Sequence, residues 1–380
     1  MQASNAPTKI YTPFAVSGTK NSIPIPSQIS TTPGKASYTD GFPPLTLTPV
    51  ASGGVPPFGA DFNGILNAIT QIQQWQSGGG MFSYDATWNS DNSGYPKGAM
   101  LLKGAGIGYW MNTVDANAND PDTGGTGWLD ISGGVVGTAR NLRASLATAG
   151  TSLTITADEI VVASGLGGTS ARLASFNKTL NVATTGAGGM DTGSAPASGY
   201  VAIYVIYNPS ASTAALLGVN ATSAAAANIY GGANMPSGYT LSALISVWPT
   251  NASSQLKEGI QQDRSISFAA ATALSTSTSA AALTSLSVSG IIPFNAKRIS
   301  GVLQSSNTST TSQSTTLSAT ANANGDGLIS CIFAGGTAGG GGVSTPYSGL
   351  PVETAQTIYY QATATTGTAT YVIQISGYTI

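Results

Sequence analysis

The chain has 380 residues, enough for two or three domains at the usual ~150 residues each. Only 7% of them are charged, against about 25% in ordinary soluble domains. A net charge of −2 with no basic run excludes the electrostatic footprint of a nucleic-acid binder. There is no histidine, so the commonest general base and metal ligand is missing, and the single cysteine, Cys331, permits neither an intrachain disulfide nor a multi-Cys zinc site.

With 41% hydrophobic residues the chain has apolar material to bury, the opposite of the disorder signature. No segment approaches the ~18 consecutive apolar residues of a membrane span, so no membrane insertion is expected. The first residues lack a basic stretch followed by an apolar one, and Pro7, Pro13, Pro24 and Pro26 interrupt them. If the protein works outside a cell, it is expected to leave by a route other than a cleaved signal.

Residues 1–58 are rich in Pro, Ser and Thr, and each Pro biases its predecessor toward extended geometry. They read as an extended arm lying along a partner or neighbouring subunit, or as an unanchored terminus. One helix follows, with Asp61 as its expected cap and Phe62, Ile65, Leu66, Ile69, Ile72 and Trp75 at three- and four-residue steps. The triple glycine 78–80 ends it. Its stripe suits packing around a symmetry axis, or covering a sheet of its own domain. Residues 1–80 thus read as an attachment arm and helix, with Phe62, Ile65, Ile69 and Ile72 as the candidate symmetry-axis and attachment residues.

Residues 81–135 make a small aromatic β module containing Tyr84, Trp88, Tyr95, Tyr109, Trp110 and Trp128. Residues 136–268 form a central β domain, with long strands at 200–207 and 239–248 and shorter ones at 153–156, 159–162 and 180–182. The Ala/Ser/Thr stretch 269–284 reads as a linker, with a helical start as the alternative. Residues 285–380 read as a jelly-roll-like β-sandwich, with strands at 286–288, 298–303, 328–333, 357–360 and 371–375. Cys331, in an apolar run, is a small core residue. The fold class is therefore mainly β: serial β modules, one short N-terminal helix and a C-terminal sandwich.

A glycosidase needs two carboxyl groups ~5–9.5 Å apart. The inventory holds three glutamates, Glu159, Glu258 and Glu353, and the neighbours Asp158 and Glu159 would point to opposite faces of a strand. The run from Asp115 to Asp122 opens like a calcium loop and then fails. Asp120 stands where the turn needs Gly, and Thr126 where the loop needs Glu, leaving Asx-type turns as the simpler reading. The glycine-rich stretches 104–108 and 186–189 match no phosphate or dinucleotide fingerprint. No catalytic residue, metal or cofactor is expected. Aromatic rings beside hydroxyls and amides can stack on sugars, which makes Tyr109, Trp110, Trp128, Tyr347, Tyr359 and Tyr360 candidates, though core packing competes for each.

Several blocks resemble tailed-bacteriophage tail fiber proteins. They include Gly41-Phe42-Pro43-Pro44-Leu45-Thr46, Gly59-Ala60-Asp61-Phe62-Asn63-Gly64-Ile65-Leu66 and Gly94-Tyr95-Pro96-Lys97-Gly98-Ala99. Further blocks are Thr184-Thr185-Gly186-Ala187-Gly188-Gly189, Tyr230-Gly231-Gly232-Ala233-Asn234-Met235-Pro236 and the terminal Ser376-Gly377-Tyr378. The resemblance implies a homotrimeric virion component in the tail fiber, released by lysis. Its N-terminal part would dock on tail or baseplate proteins, and its distal end would meet a bacterial surface polysaccharide or outer-membrane receptor. The candidate receptor contacts are Tyr347, Tyr359 and the loop from Gly335 to Gly342. Two other readings stay open: an architectural connector presenting another receptor-binding chain, and a polysaccharide depolymerase.

Overall fold

In a computed structural model the chain is described for residues 7–104, 108–131, 133–309, 311–335 and 340–380. It divides into two units, Met1–Gly104 with Met111–Gly127, and Ala105–Trp110 with Trp128–Ile380.

The first unit holds α1 (Gly59–Ser77), α2 (Ala86–Asp91) and β1 (Met100–Leu102), preceded by the proline-rich arm. Helix α1 ends as expected, at Gly78 and at Gly79 with its φ of +86°. Its start differs. The N-cap is Phe58, with no side-chain cap, and Asp61 lies within the first turn, buried. The Asp61 carboxylate accepts Asn21 Nδ2 at 2.7 Å and Ala36 N at 2.8 Å, so it anchors the arm instead of capping the helix.

Further contacts to the arm follow down another face of α1. Asn63 Nδ2 donates to Thr19 O at 2.7 Å, Asn67 Nδ2 to Phe14 O at 2.6 Å, and Gln74 Nε2 to Tyr11 O at 2.6 Å. Phe14 N donates to Thr70 Oγ1 at 2.8 Å and Asn21 N to Ala60 O at 2.9 Å. An extended segment has no ladder partners of its own, and these helical side chains satisfy its backbone groups. Residues 11–21 are therefore docked along α1.

Expected as β, the small aromatic module also contains α2, whose N-cap Asp85 accepts Thr87 N and Trp88 N. In the 115–122 stretch the carboxylates take backbone donors. Asp115 accepts Lys97 N, Asp120 accepts Asp122 N, and Asp122 accepts Gly104 N. The strand β2 (Tyr109–Asn112) runs across the sequence boundary of the units, and β3 (Trp128–Asp130) opens the second.

After β3 the second unit adds β4 (Ala139–Arg140), β5 (Arg143–Leu146), β6 (Ser152–Ala163) and β7 (Ser170–Asn181). It continues through β8 (Tyr200–Asn208), β9 (Thr213–Asn220), β10 (Leu241–Pro249) and β11 (Gly259–Gln262). The two short strands expected at 153–156 and 159–162 are one strand, β6. β8 and β10 pair antiparallel and are buried on both faces, which is why they read as continuous apolar runs. Val201, Ile203 and Val205 face the main core, while Tyr200, Ala202, Tyr204 and Ile206 face a second one beneath the 221–240 segment.

The last eight strands are β12 (Ser265–Thr276), β13 (Ala280–Ser287), β14 (Arg298–Asn307), β15 (Gln313–Thr320), β16 (Ile329–Gly335), β17 (Gly341–Pro351), β18 (Thr357–Ala364) and β19 (Ala369–Thr379). They form two four-stranded sheets, β17-β14-β19-β12 and β13-β18-β15-β16, and the chain crosses between sheets at every step except β15 to β16. This is a jelly roll. It starts at Ser265, so the stretch 269–284 expected as a linker falls in its first two strands and the turn between them. Small Ala, Ser and Thr side chains there lie against Tyr371, Val372 and Ile373 of β19 and Ile358 to Tyr360 of β18. Those partners supply the apolar bulk that the stretch itself lacks. Through β12–β11 the first jelly-roll sheet joins the central strands in one twelve-stranded sheet. As expected for a core residue, Cys331 is buried among the side chains of the main core.

Candidate functional site

The register brings the ends of β14, β17 and β19 together at Asn307, Gly341 and Ala369, and pairs Gln313 with Gly335. Residues 277–279, 308–309, 311–312, 340 and 365–368 accordingly share one end of the jelly roll. They are Ser277, Thr278 and Ser279, then Thr308, Ser309, Thr311 and Ser312, and finally Gly340 with Thr365, Thr366, Gly367 and Thr368. Thr308 N donates to Thr368 O at 3.1 Å and Asn307 Nδ2 to Thr366 O at 2.8 Å, tying two of the connections together. The apex therefore offers hydroxyls and backbone groups and, among the described residues, no charge.

Beneath it lie buried polar side chains. Asn307 and Gln313 are buried, and both amide atoms of Gln313 and the Tyr371 hydroxyl have no hydrogen-bond partner among the described residues. Sequence reasoning missed these residues. Only strand pairing reveals that Gln313, Asn307 and Tyr371 stand at one end of the sandwich.

Of the expected receptor contacts, Tyr347 is corrected. It is only 6% exposed, packs in the main core and donates its hydroxyl to Gln374 O at 3.0 Å. Tyr359 and Tyr360 point to opposite faces of β18: Tyr360 packs against the core, and Tyr359 lies on the outer face beside Ser285 and Thr320. Gly335 and Gly342 are paired strand residues. A Cβ on Gly335 would meet Gln313 Nε2 at 2.6 Å, and one on Gly342 would meet Ser306 Cβ at 2.7 Å. Residues 336–339 of that expected loop lie outside the described residues.

In the first unit the candidate axis residues are on the side of α1 opposite the arm. Phe62, Leu66, Ile69, Ile72 and Trp75 are exposed, Ile72 at 51% and Trp75 at 54%, and Ile65 is half-buried. Phe42 stacks on Phe62 with centroids 4.5 Å apart. A cavity of about 920 Å³ continues from Ile72 and Gln76 past Phe82, Trp88, Tyr95 and Met100. The helix is thus turned inside out: its polar face is covered by its own arm, and beyond Phe62 its apolar face is left exposed.

Fold-assembled carboxylates do meet at the other end of the jelly roll. Asn322 Nδ2 donates to Asp326 Oδ2 at 2.8 Å and to Glu353, joining the 321–328 and 352–356 connections through two exposed acids.

Four buried phenols donate to backbone carbonyls: Tyr200 to Ser289, Tyr204 to Ala227, Tyr347 to Gln374 and Tyr378 to Val247. Burial pushes all four up, Tyr204 to about 12. The unfolded chain ionises its tyrosines near pH ~10 and the folded chain later, so this stabilisation is complete below about pH 10 and is lost as pH rises through the folded values. Unfolding free energy is expected to fall steeply above that pH, with tyrosinate absorbance rising together with the loss of β circular dichroism. Ionisation of all the tyrosines near pH ~10 with the fold intact would contradict this.

No protein-family model matches the chain, and no curated protein matches it. Among solved structures it is similar to the crystal structure of a Bacillus thuringiensis Cry1Da tryptic core variant, at 9% identity and a TM-score of 0.17 over 64% of this chain and 52% of that one. It is also similar to the crystal structure of an exo-β-1,3-galactanase from Phanerochaete chrysosporium with galactose, at 13% identity and a TM-score of 0.14 over 73% of this chain and 64% of that one. The chain spans about half the length of the first neighbour and under two thirds of the second, and neither likeness is close enough to carry an argument.

Proposed function

We propose that the chain is a trimeric fiber component of a phage tail that attaches to the virion by its first unit and adsorbs to the bacterial surface through its C-terminal jelly roll, by binding and without catalysis. The observation that carries the reading is the inverted helix α1. A helix that spends its polar face on its own arm and leaves Leu66, Ile69, Ile72 and Trp75 exposed is built to be covered by other chains. Most large apolar side chains left exposed among the described residues belong to this first unit, which suits a part held inside an assembly. The phage-type blocks Gly41 to Thr46 and Gly59 to Leu66 fall in the same unit.

In the second unit, the uncharged Ser/Thr apex suits a surface polysaccharide or the loops of an outer-membrane receptor, which neutral hydrogen bonds can read. Three copies per fiber would turn weak contacts into firm attachment through avidity. The test is competition. Bacteria pre-incubated with the full-length chain should resist adsorption of particles that carry it, and antibody to the chain should label their tails. A chain that labels tails but neither binds cells nor blocks adsorption would overturn the recognition role and leave the connector reading.

A further inference from the structure

The twelve-stranded sheet carries a second polar surface, far from the apex in register. Cross-strand partners line up as Asn177 on β7, Thr156 on β6, Arg143 on β5 and Gln262 on β11. The row goes on through Ser265 on β12 and Thr379 on β19 to Arg298 on β14. Directly paired residues share a face, and here that face is the outer one. Asn177, Arg143, Gln262, Ser265 and Arg298 are exposed, and Thr156 and Thr379 are half-buried. Contacts confirm the alignment: Ser265 Oγ lies 3.2 Å from Thr379 Oγ1, and in the adjacent row Thr154 Oγ1 lies 2.8 Å from Thr179 Oγ1. Seven strands at a spacing of ~4.8 Å give a strip roughly 29 Å long.

The strip is hollowed at its Arg143 end. Two depressions, of about 320 and 440 Å³, share Arg143 and Thr156 and so adjoin. Among the described residues no hydrogen bond or ion pair engages the Arg143 guanidinium, in a chain with only 13 Lys and Arg. Asp158 lines one depression, where its carboxylate accepts from Asn141 Nδ2, and Gln262 lines the other beside Arg143. Exposed Ile260 beside it supplies an apolar spot for a ring face.

We propose that this strip binds an anionic polysaccharide laid across the strands, with the Arg143 fork taking a carboxylate and Thr156, Asn177 and Gln262 taking hydroxyls. A floor of hydroxyls and amides with one small apolar spot lacks the aromatic, desolvated centre of a protein interface. Two arginines in a chain of net charge −2 do not make a nucleic-acid track. A polymer rich in hydroxyls with spaced carboxylates fits what is there, because a guanidinium pairs a carboxylate through two parallel N–H donors. The proposal rests on the surface-adhesion reading for its biological sense, but it concerns a different face from the apex and can fail alone.

The test uses the full-length protein and calorimetric titration with oligomers of polygalacturonate, alginate and hyaluronate, and with neutral dextran oligomers of equal length. At least one acidic oligomer is expected to bind, more weakly as salt rises, with dextran silent. Arg143→Gln should weaken that binding about tenfold or more, and Arg143→Lys by less, since it keeps the charge but loses the fork. No binding to any acidic oligomer, equal binding to dextran, or an unchanged affinity in Arg143→Gln would each overturn the strip. Acidic-oligomer binding without protection of cells in the competition experiment would uphold the strip and overturn the adhesion reading. Protection of cells by Arg143→Gln with no acidic-oligomer binding by the wild type would do the reverse.

Discussion

Replacing Ile69 and Ile72 together by glutamate is expected to leave the chain folded and monomeric. Both side chains are about half exposed in the single chain, at 46% and 51%, so neither holds up its own unit. Covering the remaining half of each on assembly contributes about 1–2 kcal/mol per residue at ~25 cal/mol/Å² and above. Six such residues in a trimer come to about 6–12 kcal/mol, or roughly four to eight powers of ten in the association constant. Burying six carboxylates around one axis would add a further penalty, because like charges would be desolvated together. The expected reading is a shift from trimer to monomer in analytical ultracentrifugation, with the thermal unfolding of the β unit unchanged. Gln71→Glu, an exposed charge off the stripe, should leave assembly as it was. A wild-type monomer, or a double variant that stays assembled with wild-type dissociation, would sink the axis role of α1.

How far the sequence reveals the fold depends on where each element finds its apolar partners. β8 and β10 carry their own β-branched and aromatic bulk on both faces, so their periodicity and extent are plain. β12, β13 and β15 do not. Ser265–Thr276 and Gln313–Thr320 consist largely of small and hydroxyl side chains, and they become strands because β19, β18 and β16 lie beside them. A composition reading sees a linker in such segments because the stabilising contact is non-local. Tyr347 fails for a related reason: alternation along β17 says that one face is buried, but only pairing with Gly301 of β14 says which. Helix α1 is legible as a helix, and its stripe as apolar. That the stripe points away from its own unit is not legible, since it follows from backbone groups of residues 11–21 being satisfied by Asn63, Asn67 and Gln74. The Arg143 strip is the extreme case, because its members come from seven strands and only register assembles them.

The arm itself is expected to hang on one glycine. Gly64→Ala should loosen residues 11–21 from α1, although helix propensity alone argues the opposite sign. In an isolated helix alanine is about 1 kcal/mol better than glycine. Here a Cβ at position 64 would stand 2.0 Å from Asn21 O, a backbone atom that cannot move without its segment. If Asn21 retreats, Asn21 N loses Ala60 O and Asn21 Nδ2 loses the buried Asp61 carboxylate. A hydrogen bond to a buried charge is worth ~1.5–3 kcal/mol and an ordinary one about 1 kcal/mol, so their loss outweighs the propensity gain by roughly 1–3 kcal/mol. The helix should therefore persist, with undiminished helical circular dichroism, while trypsin reaches Lys20 faster. Lys20 is a suitable reporter because it lies in the docked segment and its ammonium donates to Ala15 O and Val16 O. An alanine variant with equal protection at Lys20 and a higher melting temperature would show that local propensity, and not the close approach of the arm, sets the residue at position 64.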